Sequence, residues 1–207
     1  DPDHYEKSWA HCDVLVIDAG PAGLAAALTA ARTGARVILA DENFALGGRC
    51  LAERRAIDGQ PAAEWAAQAV AELRSMPDVR LFARTTVFGV FDDGVFGAVE
   101  RVNDHLPVPP QFQPRQRVWR FIAKQTVLAS GSIERPLLFG NNDLPGVMLA
   151  GAVRTYINRF AVLPGRRAVV FTDNDDGWTT AADLVAAGGQ VAAIVDSREP
   201  VIVSELA

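Results

Sequence analysis

Val14–Gly48 reads VLVIDAGPAGLAAALTAARTGARVILADENFALGG. Its first four residues are apolar and largely β-branched, which suits a buried strand. Gly20 and Gly23 follow in a turn that lets backbone approach something closely. Ala22–Arg32 is rich in alanine and leucine and reads as a helix. Arg36–Ala40 is a second apolar run, and it ends on Asp41. Strand, glycine turn, helix, strand, acid is the order that dinucleotide binding requires. Backbone N–H groups at the helix start point at a pyrophosphate, and the helix dipole adds partial positive charge there. A carboxylate at the end of the second strand accepts hydrogen bonds from ribose hydroxyls. Gly47–Gly48 falls where the next loop passes back over the phosphates.

One residue departs from the G-x-G-x-x-G fingerprint: Asp18 stands at its first position. Aspartate tolerates unusual backbone angles better than most residues. Its carboxylate, however, would sit close to a phosphate and repel it. The expected contacts are Gly20, Ala22 and Gly23 at the pyrophosphate and Asp41 at the ribose. The alternative is a unit of the same shape that packs and binds nothing.

The chain has 207 residues, 49% hydrophobic and 22% charged, an ordinary balance for a globular protein of one to two domains. A net charge of −5 argues against nucleic acid or an anionic membrane as partner. No apolar run is long enough to span a bilayer. Cys12 and Cys50 are too few for a disulfide framework and fit a reducing cytoplasm. The opening Asp1-Pro2-Asp3 reads as a linker, and the closing VIVSELA as an interrupted element. The expectation is a piece of a longer polypeptide.

Residues 1–11 are polar and are expected to be an extended lead-in, with Tyr5 and Trp9 against the domain edge. Gln60–Ser75 is expected to be a helix with Pro61 in its first turn. Val79–Phe82 is a short strand joining the parallel sheet. Thr85–Phe91, Phe96–Val102, Arg117–Ala123 and Thr126–Leu128 are β-rich, with Asp92-Asp93-Gly94 as a turn. Leu106–Gln116 reads as a loop. A small antiparallel meander thus interrupts a parallel sheet and returns to it. The returning strand ends VLASGS, where small residues such as Gly131 let backbone pass near a ligand.

Ile133–Pro145 is expected to be a loop and Val147–Phe160 a helix. The opening pattern then begins again: strand Arg167–Thr172, helix Gly177–Ala187, strand Gln190–Val195, acid Asp196. Its turn, TDNDDG, has Thr172 and Asn174 in place of two glycines, and its three aspartates suit a pyrophosphate poorly. The fold class is therefore α/β: a Rossmann-type parallel sheet with an inserted antiparallel β-meander, then a second, truncated Rossmann-type unit. The expected division is 1–165, with the lead-in at 1–11, and 166–207.

Two such units resemble the two-dinucleotide-domain flavoproteins. The markers are the DAGPAG turn, Asp41 ahead of Gly47–Gly48, and the LASGS strand end. DPDHYEKSWAHCDVLV, DENFALGG, TTVFGVFDDGVFGAVERV, SGSIERPLLF, NNDLPGVMLAGAVRTYINRF and PGRRAVVFTDNDDGWTTAADL further resemble the α subunit of heterotetrameric sarcosine oxidase. That resemblance implies a cofactor-binding part of an oxidoreductase, with NAD in the first Rossmann unit and no catalytic residue in this chain. FAD, FMN and the folate-linked oxidative demethylation of sarcosine would belong to the complete complex, whose β, γ and δ subunits are the implied partners. It also implies Asp41 and Glu42 at the adenosine ribose with Asn43 beside them. Gly48 and Arg49 would close over the phosphates, and backbone at Val87 would meet adenine.

Other chemistries have weaker support. A pyridine nucleotide-disulfide reductase-like FAD domain would want a second cysteine after Cys50, and the C-x-x-x-x-C position holds Arg55. His4, His11 and His105 lie in polar sequence, and no serine has a nucleophile-elbow context. No metal-ligand spacing is present. The remaining rival is a non-catalytic Rossmann scaffold with a degenerate nucleotide site.

Overall fold

A computed structural model describes residues 4–199. The readings of Asp1–Asp3 as a linker and of Val201–Ala207 as an element lie outside the described residues. The chain forms two compact units. One holds the chain up to Cys50 together with Ala56–Gly131, and the other holds Leu51–Arg55 together with the chain from Ser132.

The first unit begins with β1 (Tyr5–Ile17), α1 (Pro21–Arg32) and β2 (Val37–Ala40). A two-residue hairpin, β3 (Ala56–Ile57) and β4 (Gln60–Pro61), leads into α2 (Ala62–Ser75). Then come β5 (Val79–Phe82), β6 (Thr85–Phe91), β7 (Val95–Arg101) and β8 (Gln116–Leu128). One six-stranded sheet runs β5-β2-β1-β8-β7-β6. Its first four strands are parallel and its last three antiparallel, so the expected meander is present and shares β8 with the parallel layer.

Two apolar layers hold this sheet. Val16, Val37 and Leu39 face α1 and α2, meeting Leu24, Ala27, Ala66, Ala69 and Leu73. Leu15, Ile38, Ala40 and Phe82 point the other way, into Phe96, Trp119 and Phe121. Phe82 meets Trp119 edge-on and Phe121 at a tilt, each with ring centroids 5.1 Å apart. The Trp119 indole donates to Glu100 Oε2 at 2.7 Å, so its one polar atom is satisfied. The meander thus covers a face that helices cover in a fully parallel α/β sheet.

The lead-in is a correction. Tyr5–Cys12 is the first half of β1, paired in register with Gln116–Ala123 of β8. From Ser8 to Cys12 burial alternates, with Ala10 and Cys12 inward, a period-two pattern hidden by the surrounding charge. Tyr5 and Trp9 are exposed rather than packed on an edge, with the Arg120 guanidinium 4.7 Å from the Trp9 ring. Nor is the Arg117–Leu128 region two strands. Lys124 and Gln125 break the apolar pattern, yet the ladder to β1 continues through them and Lys124 pairs with Asp13 at 2.8 Å. The helix expected from Gln60 starts at Ala62, because Gln60 and Pro61 belong to the hairpin.

The second unit contains α3 (Ala150–Arg154), which continues as a π-helical turn over Thr155–Arg159. β9 (Arg167–Thr172), α4 (Asp175–Ala186) and β10 (Gln190–Asp196) follow, with the two strands parallel. The division between units falls after Gly131, ahead of the expected 165. Ile157 packs with Val170, Ala181 and Leu184, so the helix before β9 belongs to the second core. Leu51–Arg55 joins it through polar contacts. Asn158 Nδ2 donates to Ala52 O at 2.9 Å and to Asp183 Oδ2 at 2.8 Å. The buried Arg154 guanidinium lies 3.6 Å from Glu53 Oε1 and 3.1 Å from Asp176 Oδ2. No helix among the described residues is long and apolar enough to cross a membrane.

Candidate functional site

The glycine turn lies between the end of β1 and the start of α1. Gly23 is there because α1 is pressed against the strand end. A Cβ on Gly23 would lie 1.9 Å from the Asp18 carbonyl oxygen and 3.4 Å from the Ala129 methyl. The second unit repeats the device at the matching position, where a Cβ on Gly177 would lie 2.4 Å from Thr172 Cβ. Ala129 follows directly on β8, and its N–H donates to Ile17 O at 2.9 Å. The β8 end therefore lies beside the turn, as the VLASGS reading requires. Gly131 itself is exposed with a positive φ of 64°.

Gly48 brings the returning loop onto the same place. A Cβ there would be 2.8 Å from Gly20 Cα, and its φ is +51°. The loop and the helix start therefore meet backbone to backbone, with no side chain between them. Ala22 and Gly23 lie in the first turn of α1, where N–H groups have no intrahelical acceptor, and that turn carries no acid. Ala22 is exposed. Amides at a helix start, with the backbone of Gly20 and Gly48 in contact beside them, fit a pyrophosphate.

Asp41 stands at the end of β2, across from the turn, and is 2% exposed. Its Oδ2 accepts the Ala19 N–H at 2.8 Å, and its Oδ1 accepts the Asn43 N–H at 2.7 Å. Asp41 thus ties β2 to the turn as well as facing it. Glu42 and Asn43 follow it with exposed side chains. The backbone here is pinned to the meander. Thr85 N–H donates to Asp41 O and Arg84 N–H to Asn43 O, both at 2.8 Å, and the Arg101 guanidinium donates to Glu42 O. These bonds set the start of β6 beside the end of β2. Val87, two residues beyond Thr85, therefore sits on the edge strand at this same end of the sheet, next to a bulge before Gly89. Arg49 is exposed, one residue past Gly48.

Asp18 follows β1 directly and stands at the first fingerprint position. It adopts φ 79°, the left-handed region that a glycine would occupy without strain. Its Oδ1 accepts the Gly20 N–H at 3.1 Å, and its carboxyl lies within hydrogen-bonding reach of Asp41. Burial, then the neighbouring Asp41 carboxyl, push it up to about 6.

The second unit's turn is arranged differently. The Asn174 side chain caps α4 by accepting the Asp176 N–H at 3.0 Å, and two aspartates occupy its first turn. Asp196, the counterpart of Asp41, is held by Trp178 Nε1 at 2.8 Å and by Arg198 at 2.7 Å. Those contacts hold its carboxyl well below the usual range. Both cysteines are buried, and burial pushes the Cys12 thiol up to about 11, far from thiolate chemistry at neutral pH.

The family described as FAD dependent oxidoreductase matches residues 13–102, the stretch that holds the turn, Asp41 and the start of the meander. Sarcosine oxidase subunit alpha from Rhizobium meliloti (strain 1021) is 59% identical over 198 residues, covering 96% of this chain and 20% of that protein. The chain is homologous to one stretch of the sarcosine oxidase alpha subunit. The alpha subunit from Corynebacterium sp. (strain P-1) is 48% identical, covering 97% of this chain and 21% of its own length. The chain thus spans about a fifth of the length of these curated relatives. Among solved structures, L-proline dehydrogenase from P. horikoshii superposes with a TM-score of 0.75 at 26% identity, over 93% of this chain and 37% of that one. The α/β fold of this chain is therefore shared with that oxidoreductase.

Proposed function

We propose that the first unit holds NAD at its glycine turn, and that the chain is the nucleotide-binding part of a sarcosine oxidase-type assembly. The observation that carries this reading is the close approach of two glycines, Gly20 and Gly48, at a helix start where the Ala22 and Gly23 amides have no intrahelical acceptor, with an acid opposite. In this reading the amides of Gly20, Ala22 and Gly23 face the pyrophosphate, and Gly48 with Arg49 closes over it. Asp41 orders the turn and Glu42 reaches the adenosine ribose, with Asn43 beside it. Backbone of Val87 meets adenine from the edge strand, and Gly131 leaves the ligand room at the end of β8. When bound, NAD would supply a nicotinamide ring, and the chain's own residues would bind and orient its adenosine half.

Sarcosine oxidation, with FAD and FMN, is assigned to the rest of a cytoplasmic heterotetramer, in which β, γ and δ subunits are this chain's partners. The second unit, with its capped helix and engaged acid, serves assembly. A second reading places FAD at the same turn, and the FAD dependent oxidoreductase family match favours it. Acid denaturation of the assembled protein separates the two readings by mass spectrometry. NAD at about one per chain is the expected result. One further FAD per chain in place of NAD, beyond that held by the rest of the assembly, would support the second reading, and neither NAD nor a further FAD would leave a scaffold.

A further inference from the structure

Two carboxyl groups meet at the glycine turn, and only one has a structural task. Asp41 spends both oxygens on backbone amides. Asp18 is half-buried and takes the Gly20 N–H, an amide at the very start of α1 where an incoming phosphate would need donors. The charged group that faces Asp18 is Asp41, from the end of β2. The amides of Ala19 and Gly20 face it from the approach to α1. β8 brings the uncharged Ala129 to the same turn, and the returning loop brings Gly48 with the cationic Arg49 next to it.

We propose that Asp18 is a proton-operated gate on the nucleotide site. Neutral, it shares a proton with Asp41 and leaves the turn open to a pyrophosphate. Ionised, it holds the Gly20 amide and sets a second negative charge against the incoming phosphates. The gate rests on the nucleotide reading above. Its titration at about 6 means that both states are populated near neutral pH. Nucleotide binding then takes up one proton, so affinity falls up to about tenfold per pH unit above 6 and is level below it. The same group ties stability to pH without any ligand. Its folded-state value lies above that of an unfolded aspartate, so its favourable contribution is complete below about pH 4 and is lost as pH rises through about 6.

Calorimetric titration of NAD into the nucleotide-stripped assembled protein between pH 5.5 and 8, with Tm recorded at each pH, tests this. Asp18→Asn is the informative variant, because asparagine is neutral and accepts a positive φ. Asp18→Gly, which restores the fingerprint, is the second. The wild type is expected to lose about 50-fold in affinity from pH 6 to 8, since the group is already half ionised at pH 6 and the one-proton slope is reached only above it. Both variants are expected to be pH-independent and tighter at pH 8, and Asp18→Asn to raise Tm at pH 8 but not at pH 4. NAD binding that is independent of pH in the wild type and unchanged in both variants would overturn the gate while leaving the nucleotide site standing. Binding by none of the three proteins at any pH would overturn the nucleotide reading, and the gate with it.

Discussion

Gly23→Ala is expected to destabilise the first unit by about 3–5 kcal/mol, at the upper end of overpacking effects. A methyl at this position would stand 1.9 Å from the Asp18 carbonyl oxygen, which is backbone and cannot rotate away. Relief requires α1 to lift from the strand end. That movement also separates Leu24 and Ala27 from Val16 and Leu39, with which they share a core. For a chain of this size the loss corresponds to a fall in Tm of roughly 6–20 °C. Nucleotide retention should disappear with it, since the amides of the first turn move with the helix. A variant with wild-type Tm would mean that α1 sits further from β1 than the geometry described above.

Asp41→Ala is expected to cost about 2–4 kcal/mol of stability as well as weakening nucleotide binding. Its two oxygens accept N–H groups from Ala19 and Asn43; one charge-assisted bond of this kind contributes about 1.5–3 kcal/mol, and the Asn43 amide, next to exposed chain, regains water when its bond is lost. Alanine would leave a buried amide without an acceptor and free the turn from the end of β2. Tm should fall by roughly 5–15 °C in the absence of any nucleotide. A residue that served only the ribose would lower affinity and leave the Tm of the nucleotide-free protein unchanged. Thermal unfolding of the stripped protein therefore separates the two roles.

Local pattern carried much of this architecture. Gly20, Gly23 and Asp41 announce their unit because a tight helix–strand contact and an acid at a strand end are short-range requirements. The repeat at Thr172–Gly177 was legible for the same reason, and the overlap that a Cβ would make at both Gly23 and Gly177 shows the shared cause. Long-range pairing was not legible. Tyr5–Cys12 becomes strand because β8 lies beside it more than a hundred residues later, and no local signal reports that partner. Lys124 and Gln125 look like a break until Asp13 and β1 are set next to them. The unit boundary moved for a similar reason, since Ile157 finds its core in residues that follow it. At the turn, the spacing placed Asp41 at the end of the second strand but did not report the engagement of its carboxylate by Ala19 and Asn43. An aspartate is one methylene shorter than a glutamate and reaches backbone first. Asp18 read as a defect in a motif, whereas its contacts with Gly20 and Asp41 make it a working part of the turn.

NAD at this turn requires that the amides at the start of α1 hold the nucleotide. Ala22→Asp addresses this directly. Ala22 is exposed in the first helical turn, where an acid favours the helix, so folding should be unaffected. The same acid would face the pyrophosphate. Quantifying nucleotide released from the wild-type and Ala22→Asp assemblies should give about one NAD per chain from the first and almost none from the second, with equal Tm once both are stripped of nucleotide and with any flavin of the assembly unchanged. Equal NAD from both proteins would place the nucleotide elsewhere and contradict the assignment.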